Sequence, residues 1–322
     1  MLSRTARRFV IGCGRRVLRA LATGALAFAV VLVPGSLPPA ERLLAPGLVQ
    51  ESFFVPAPGG YSIATHVLRP PGPGPFPAIV LNHGTAVSYA ERLRESPRLL
   101  ASAALGFARS GYAVVMPLRR GYGRTGGAFV ESPGSCANPD YHRAGEAAAA
   151  DVMAAYNYAR RLPYVDGSRM ILAGQSTGGV AALQAAGTHS PEGLRAVLAF
   201  SAGRGGNPIR HPGVPCAVEP LAKVFADLGR RVRVPVLFHY AANDRFFNAD
   251  TSRFWYERFR AGGGRGDYVL QPPFGEDGHY IFTDRAGQDH WLPAVERFLR
   301  EHGIDTAPEH QRIRYSTEMP TA

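Results

Sequence analysis

The chain has 322 residues, 46% of them apolar and 19% charged. That balance supports a buried core and excludes a disordered or collagen-like chain. The formal net charge is +11, but six arginines (Arg4, Arg7, Arg8, Arg15, Arg16, Arg19) lie in the first forty residues, which hold no acid. Subtracting those six leaves +5, thinly mixed with acids, so there is no basic stripe with aromatic partners for a nucleic acid.

The N-terminal layout is positive, then apolar, then broken. Ala20 to Val33 is an uncharged run of 14 residues, followed by Pro34, Gly35, Pro38 and Pro39. Residues 1–40 read as a secretory signal peptide or an uncleaved N-terminal membrane anchor, since the run is shorter than the roughly 20 residues that span a bilayer. Either reading leaves the body outside the cytoplasm, as an exported (periplasmic or secreted) protein or one tethered to the inner membrane. Val10-Ile11-Gly12-Cys13 is no lipoprotein box, because the apolar run follows it. The pairs Arg7-Arg8 and Arg15-Arg16 keep a twin-arginine route open. Residues 41–50 are a linker.

The body, residues 51–303, alternates strand and helix signals. Ser52–Val55 and Ile63–Leu68 read as strands joined by Pro58-Gly59-Gly60, an antiparallel hairpin. Ala78–Leu81 is a buried-type strand, Ser96–Arg109 a helix and Tyr112–Met116 a strand. The alanine-rich stretch Pro139–Leu162 is helical, Met170–Ala173 a strand and Thr177–Gly187 a helix. Ala196–Phe200, helix Val218–Leu228, strand Val234–Tyr240, helix Thr251–Phe259, strand Tyr268–Leu270 and helix Trp291–Arg300 follow. Such alternation predicts an α/β fold with a mostly parallel central sheet and helices on both faces. Residues 304–322 read as a disordered tail.

Chemistry concentrates at Gly174-Gln175-Ser176-Thr177-Gly178-Gly179. A G-x-S-x-G sequence between a strand and a helix is the context of a nucleophile elbow: the turn is tight, its flanks must be small, and the serine projects at the helix N-terminus. A serine hydroxyl needs a base held by an acid. In the order serine, acid, histidine, Asp244 follows one strand and His279 follows the next. Asp250 reads as a helix cap, Glu276 and Asp277 as surface acids, and His239 as a core or sheet-face histidine. The backbone N–H groups of Thr177 and Thr85 are the expected oxyanion donors. His83 precedes the serine and reads as ordering its loop.

Together His83-Gly84, Gly121-Tyr122-Gly123-Arg124-Thr125-Gly126-Gly127, the serine hexapeptide, Asn243-Asp244 and Gly278-His279 resemble the α/β-hydrolase superfamily over residues 51–303. The nearest likeness is the dienelactone hydrolase-like and prolyl-oligopeptidase-like branch. The resemblance implies a Ser176–Asp244–His279 triad and acyl-enzyme chemistry on a small-molecule ester. A serine where dienelactone hydrolases carry cysteine favours ordinary esters or amides, and there is no room for a propeller domain. A peptidase or acyltransferase with the same triad, and an inactive cell-envelope binding protein, are the alternatives.

Three further patterns complete the reading. Gly121 to Gly126 matches G-x-G-x-x-G, yet no helix follows, so it reads as a structural loop with no cofactor role. Arg265-Gly266-Asp267 reads as a turn before a strand. No His, Cys, Asp and Glu spacing suits a metal. Cys136 and Cys216 suggest one disulfide in an exported body, or else two buried thiols. The short stretch between Phe200 and Val218 predicts a small loop lid and no large cap, with Arg204, Arg210 and His211 available for an acidic substrate group or solvated. Tyr89, Tyr141, Phe246, Phe247, Tyr280 and Phe282 are candidates for the acyl pocket or the core.

Overall fold

Strands that are apolar at every position must be covered on both faces. In the computed structural model, which describes residues 45–86 and 88–304, that demand organises the whole body. The suggested leader (residues 1–40), residues 41–44 of the linker and the tail beyond residue 304 lie outside the described residues. Among the described residues no helix is long and apolar enough to cross a membrane.

Eight strands form one open sheet in the order β1-β2-β4-β3-β5-β6-β7-β8. They are β1 (Val49–Ala57), β2 (Tyr61–Arg69), β3 (Phe76–Asn82), β4 (Ala113–Pro117), β5 (Val165–Gln175), β6 (Leu194–Phe200), β7 (Val236–Ala241) and β8 (Gly266–Gln271). The hairpin β1–β2 is antiparallel, as its Pro/Gly turn predicts, and β2 is antiparallel to β4. From β4 through β8 every pairing is parallel.

Alternation along the strands splits the core in two. Ala78 and Val80 of β3, Met170 and Leu172 of β5 and Val197 and Ala199 of β6 face one side. That side is covered by α3 (Tyr141–Ala159), α4 (Thr177–His189), α5 (Val218–Arg231) and α6 (Ala249–Ala261). Ile79, Leu81, Ile171, Ala173, Ala196 and Leu198 face the other, beneath α2 (Ala101–Arg109) and α7 (Gln288–Glu301). The small residues of α3 (Ala144, Ala148, Ala155, Ala159) are fully buried and permit close approach.

The structure differs from the sequence reading in several places. The expected helix Ser96–Arg109 divides: Pro97 opens a 3-10 turn, Pro97–Leu100, and α2 starts at Ala101. A short helix α1 (Tyr89–Arg94) precedes it, unread in the sequence although Ser88 and Glu91 form a capping box. Asp250 lies in the first turn of α6, but the cap is Asn248, whose side chain accepts from Thr251 N. Gly266 and Asp267 belong to β8 and not to a turn.

Cys136 and Cys216 are joined, with Cα atoms 5.6 Å apart. The bond ties the loop before α3 to the β6–α5 connection, which is too short to carry a cap domain.

Candidate active site

The site starts from the end of β5. Gly174 and Gly178 sit where strand, turn and helix meet: a methyl on Gly174 would strike the backbone of Gly178, and one on Gly178 the carbonyls of Asn82 and His83. Between them Ser176 has φ 58° and ψ −124°, the positive φ of a strained turn residue. Its N–H bonds to Phe200 O at 2.9 Å, and its carbonyl accepts from Gly179 N at 3.0 Å and Gly203 N at 3.3 Å. Thr177 starts α4, so its N–H is an open donor at a helix N-terminus.

The loop after β3 faces this turn. Thr85 Oγ1 and Thr177 Oγ1 are 2.7 Å apart, and Tyr122 OH donates to Thr85 Oγ1 at 3.0 Å. His83 is buried, with Nδ1 2.7 Å from Gly84 O and Nε2 accepting from Arg119 N at 3.1 Å. Burial, reinforced by the Arg119 charge, pushes its pKa well below the usual histidine range. Both ring nitrogens are therefore committed, and His83 orders the loop.

Arg119 supports the same loop from behind. It donates to His83 O at 2.7 Å and to Glu131 Oε1 at 2.5 Å, with both side chains buried. Arg204 joins this group, donating to Glu131 O at 3.2 Å. This corrects one expectation: Arg204 is 4% exposed and paired inside the protein, while Arg210 and His211 are exposed and away from the cavity. None of the three lines that cavity. Nor does the Gly121–Gly126 segment cradle a phosphate. Gly121 N bonds to Gly126 O at 2.6 Å, closing the loop on itself, and the Tyr122 ring packs on His83.

The acid and histidine come from the loops after β7 and β8. His279 Nδ1 lies 3.1 and 3.0 Å from the two carboxylate oxygens of Asp244, both residues being buried. Asp244 Oδ1 also accepts from the N–H groups of Phe246 at 2.8 Å and Phe247 at 2.9 Å. The Phe246 ring stacks on the imidazole at 4.0 Å. Asn243 and Asp277 lock the two loops together: Phe274 N donates to Asn243 Oδ1 at 2.8 Å, and Asp277 Oδ1 accepts from Arg245 N and His279 N. Asp277 is thus a bridge between loops where the sequence reading has a surface acid. His239 is a core histidine, fully buried within β7, and burial pushes its pKa down to about 3.

Ser176 and His279 line one cavity of about 320 Å³, with no hydrogen bond between them. Gly84, Thr85, Phe246 and Tyr280 share its wall. Its lining also includes residues that the sequence reading did not place at the site: Glu91 of α1, Glu95 and Leu99. The Ser88–Glu91 capping box was the signal available for α1. Of the other aromatic candidates, Tyr141, Phe247 and Phe282 are core, and Tyr89 is exposed.

Comparison with known proteins agrees with this architecture. No curated protein matches the chain. Among solved structures, a Klebsiella pneumoniae protein assigned as a dienelactone hydrolase superposes with TM-score 0.55 at 16% identity, over 79% of this chain and 99% of that one. An acetyl xylan esterase from Paenibacillus sp. R4 gives 0.56 at 19% identity, over 79% and 85%. The acylaminoacyl peptidase of Pyrococcus horikoshii gives 0.54 at 16% identity over 79% of this chain but 41% of its own length. These likenesses establish the fold. The profile of the X-Pro dipeptidyl-peptidase (S15) family matches residues 59–227, a stretch that holds Ser176 and ends before Asp244 and His279. The chain is therefore an α/β-hydrolase-superfamily protein and belongs to the X-Pro dipeptidyl-peptidase (S15) family.

Proposed function

We propose that the protein is a serine hydrolase that cleaves carboxylic esters through an acyl-enzyme, with Ser176 as nucleophile, His279 as general base and acid, and Asp244 as the group that orients the imidazole. The observation that carries this reading is His279 Nδ1 facing both Asp244 oxygens while His279 and Ser176 line one cavity. With Nδ1 committed to the carboxylate, Nε2 is the nitrogen that takes the serine proton. Ser176 Oγ adds to the ester carbonyl, and the resulting oxyanion lies against the N–H groups of Thr177 and Thr85. Collapse expels the alcohol with the proton returned by His279. Water, deprotonated by the same nitrogen, then releases the acid and restores Ser176. No metal or organic cofactor takes part in this sequence of steps.

The cavity also bears on substrate charge. Glu91 and Glu95 line it, and among the described residues no lysine or arginine does. Cationic or neutral esters suit such a wall, and anionic ones do not. Peptide cleavage is the second reading, favoured by the family match. The disulfide fits an oxidising compartment, in keeping with export.

A fluorophosphonate probe on the purified body tests the mechanism. It should label wild type, not Ser176→Ala, and only weakly His279→Ala. Labelling elsewhere, or undiminished esterase activity in Ser176→Ala, rejects it. Short esters set against X-Pro peptides then separate the two readings.

A further inference from the structure

The loop that carries His279 is locked to the loop that carries Asp244, but neither bonds to the nucleophile through its catalytic side chains. What holds the histidine loop at the right distance from Ser176? The side chain that spans the gap is Gln175. It is the last residue of β5 and the immediate neighbour of Ser176, and it is 5% exposed. Its backbone is fixed in the parallel ladder opposite Phe200. Its Nε2 donates to the main-chain carbonyl of His279 at 3.1 Å. On its other side Oε1 packs against Gly84, so closely that a methyl there would sit 3.0 Å from it. One amide therefore touches the oxyanion loop and the histidine loop and is covalently next to the serine.

We propose that Gln175 is a positioning residue: its amide fixes the His279 main chain relative to Ser176, and so sets the reach of the imidazole to the serine hydroxyl. The proposal rests on the Ser176–His279 reading above. The physical logic is that proton transfer tolerates little misplacement, and a shift of about 1 Å can cost about a hundredfold in rate. The His279 residue sits in a 3-10 turn, Gly278–Tyr280. Of the bonds it makes, those from Asp277 and Asp244 belong to its own loop pair, and the Gln175 bond joins it to β5.

The experiment follows single-turnover hydrolysis of a p-nitrophenyl ester by full-length protein carrying Gln175→Met, Gln175→Glu, His279→Ala, or Gln175→Met with His279→Ala, each checked for an unchanged Tm. Methionine keeps the length and volume but not the donor. Glutamate keeps the shape but turns an acceptor toward the carbonyl. Both should lower kcat about ten- to a hundredfold at unchanged KM. On the His279→Ala background, Gln175→Met should change nothing more, because its effect runs through the histidine. Wild-type kcat in either single variant overturns the proposal, as does a further loss of the same size on the His279→Ala background. A fall in Tm that accounts for the lost activity of both variants also overturns it, since the role is then only structural. Full activity in His279→Ala would instead reject the triad itself, which keeps the two failures apart.

Discussion

The cavity has two unlike walls. One is built from Ser176, Gln175, His279 and Phe246 at the ends of β5, β7 and β8, where the parallel ladder fixes every strand end. The other is built from Glu91, Glu95 and Leu99, carried by a six-residue helix and a 3-10 turn. In the first wall Gln175 and His279 are buried and Ser176 and Phe246 half-buried. In the second, α1 has no buried residue at all. The lesson is a division of labour under the proposed mechanism: the groups proposed to transfer protons sit on loops anchored to the sheet edge, and the acids proposed to select charge sit on a segment held by caps and short-range bonds. Rigid placement matters most where an error of an ångström is costly, and charge selection tolerates more.

Perturbing each wall sharpens that contrast. The largest effect is expected from Ser176→Ala, which should lower kcat about a millionfold, as for other catalytic serines. A residual rate close to wild type, measured by ester hydrolysis, would move the nucleophile elsewhere. Next comes the ion pair behind the oxyanion loop. Arg119→Met leaves the buried Glu131 without its main partner, so unfolding in urea should show a loss of about 3–5 kcal/mol. No change in midpoint would mean that the pair does not hold the loop.

On the opposite wall the effects are smaller and concern selectivity. Glu95→Gln should cut the preference for a cationic over an isosteric neutral ester about tenfold or less, at little change in rate for the neutral one. The ratio of kcat/KM values for the two esters measures it. The same preference should depend on pH. Burial, opposed by Arg119 and the Ser96 N–H, raises the pKa of Glu95. A raised carboxyl is charged only above that higher value, so cation preference fades on acidification at a higher pH than an ordinary carboxylate would allow. Glu91 and His279 line the same cavity, so Glu95→Gln is the control. A pH dependence of the ratio that persists in Glu95→Gln assigns the effect to one of those neighbours.

Much of the first wall was legible in the sequence because its signals are local and steric. Gly174 and Gly178 must be small where strand meets helix, and that requirement leaves a mark in six consecutive residues. Asp244 and His279 are singled out in the sequence by order alone, each past a strand with apolar character. The second wall was not read, because α1 buries nothing and so has no apolar period. Its one mark was the pair Ser88 and Glu91. Arg204 was misread for a related reason: an arginine in a loop resembles a solvated one until its partner is known, and Glu131 lies 73 residues away.

The sequence by itself determined the alternation of elements, the elbow and the order of serine, acid and histidine, since these follow from steric and apolar rules acting over a few residues. The tertiary structure alone decided which charges line the cavity, that Arg204 is buried against Glu131, that Cys136 meets Cys216, and that Gln175 reaches the His279 carbonyl. Those outcomes depend on which loops the parallel sheet brings together, Arg204 to Glu131 across 73 residues, the cysteines across 80 and Gln175 to His279 across 104, distances over which no local pattern carries information.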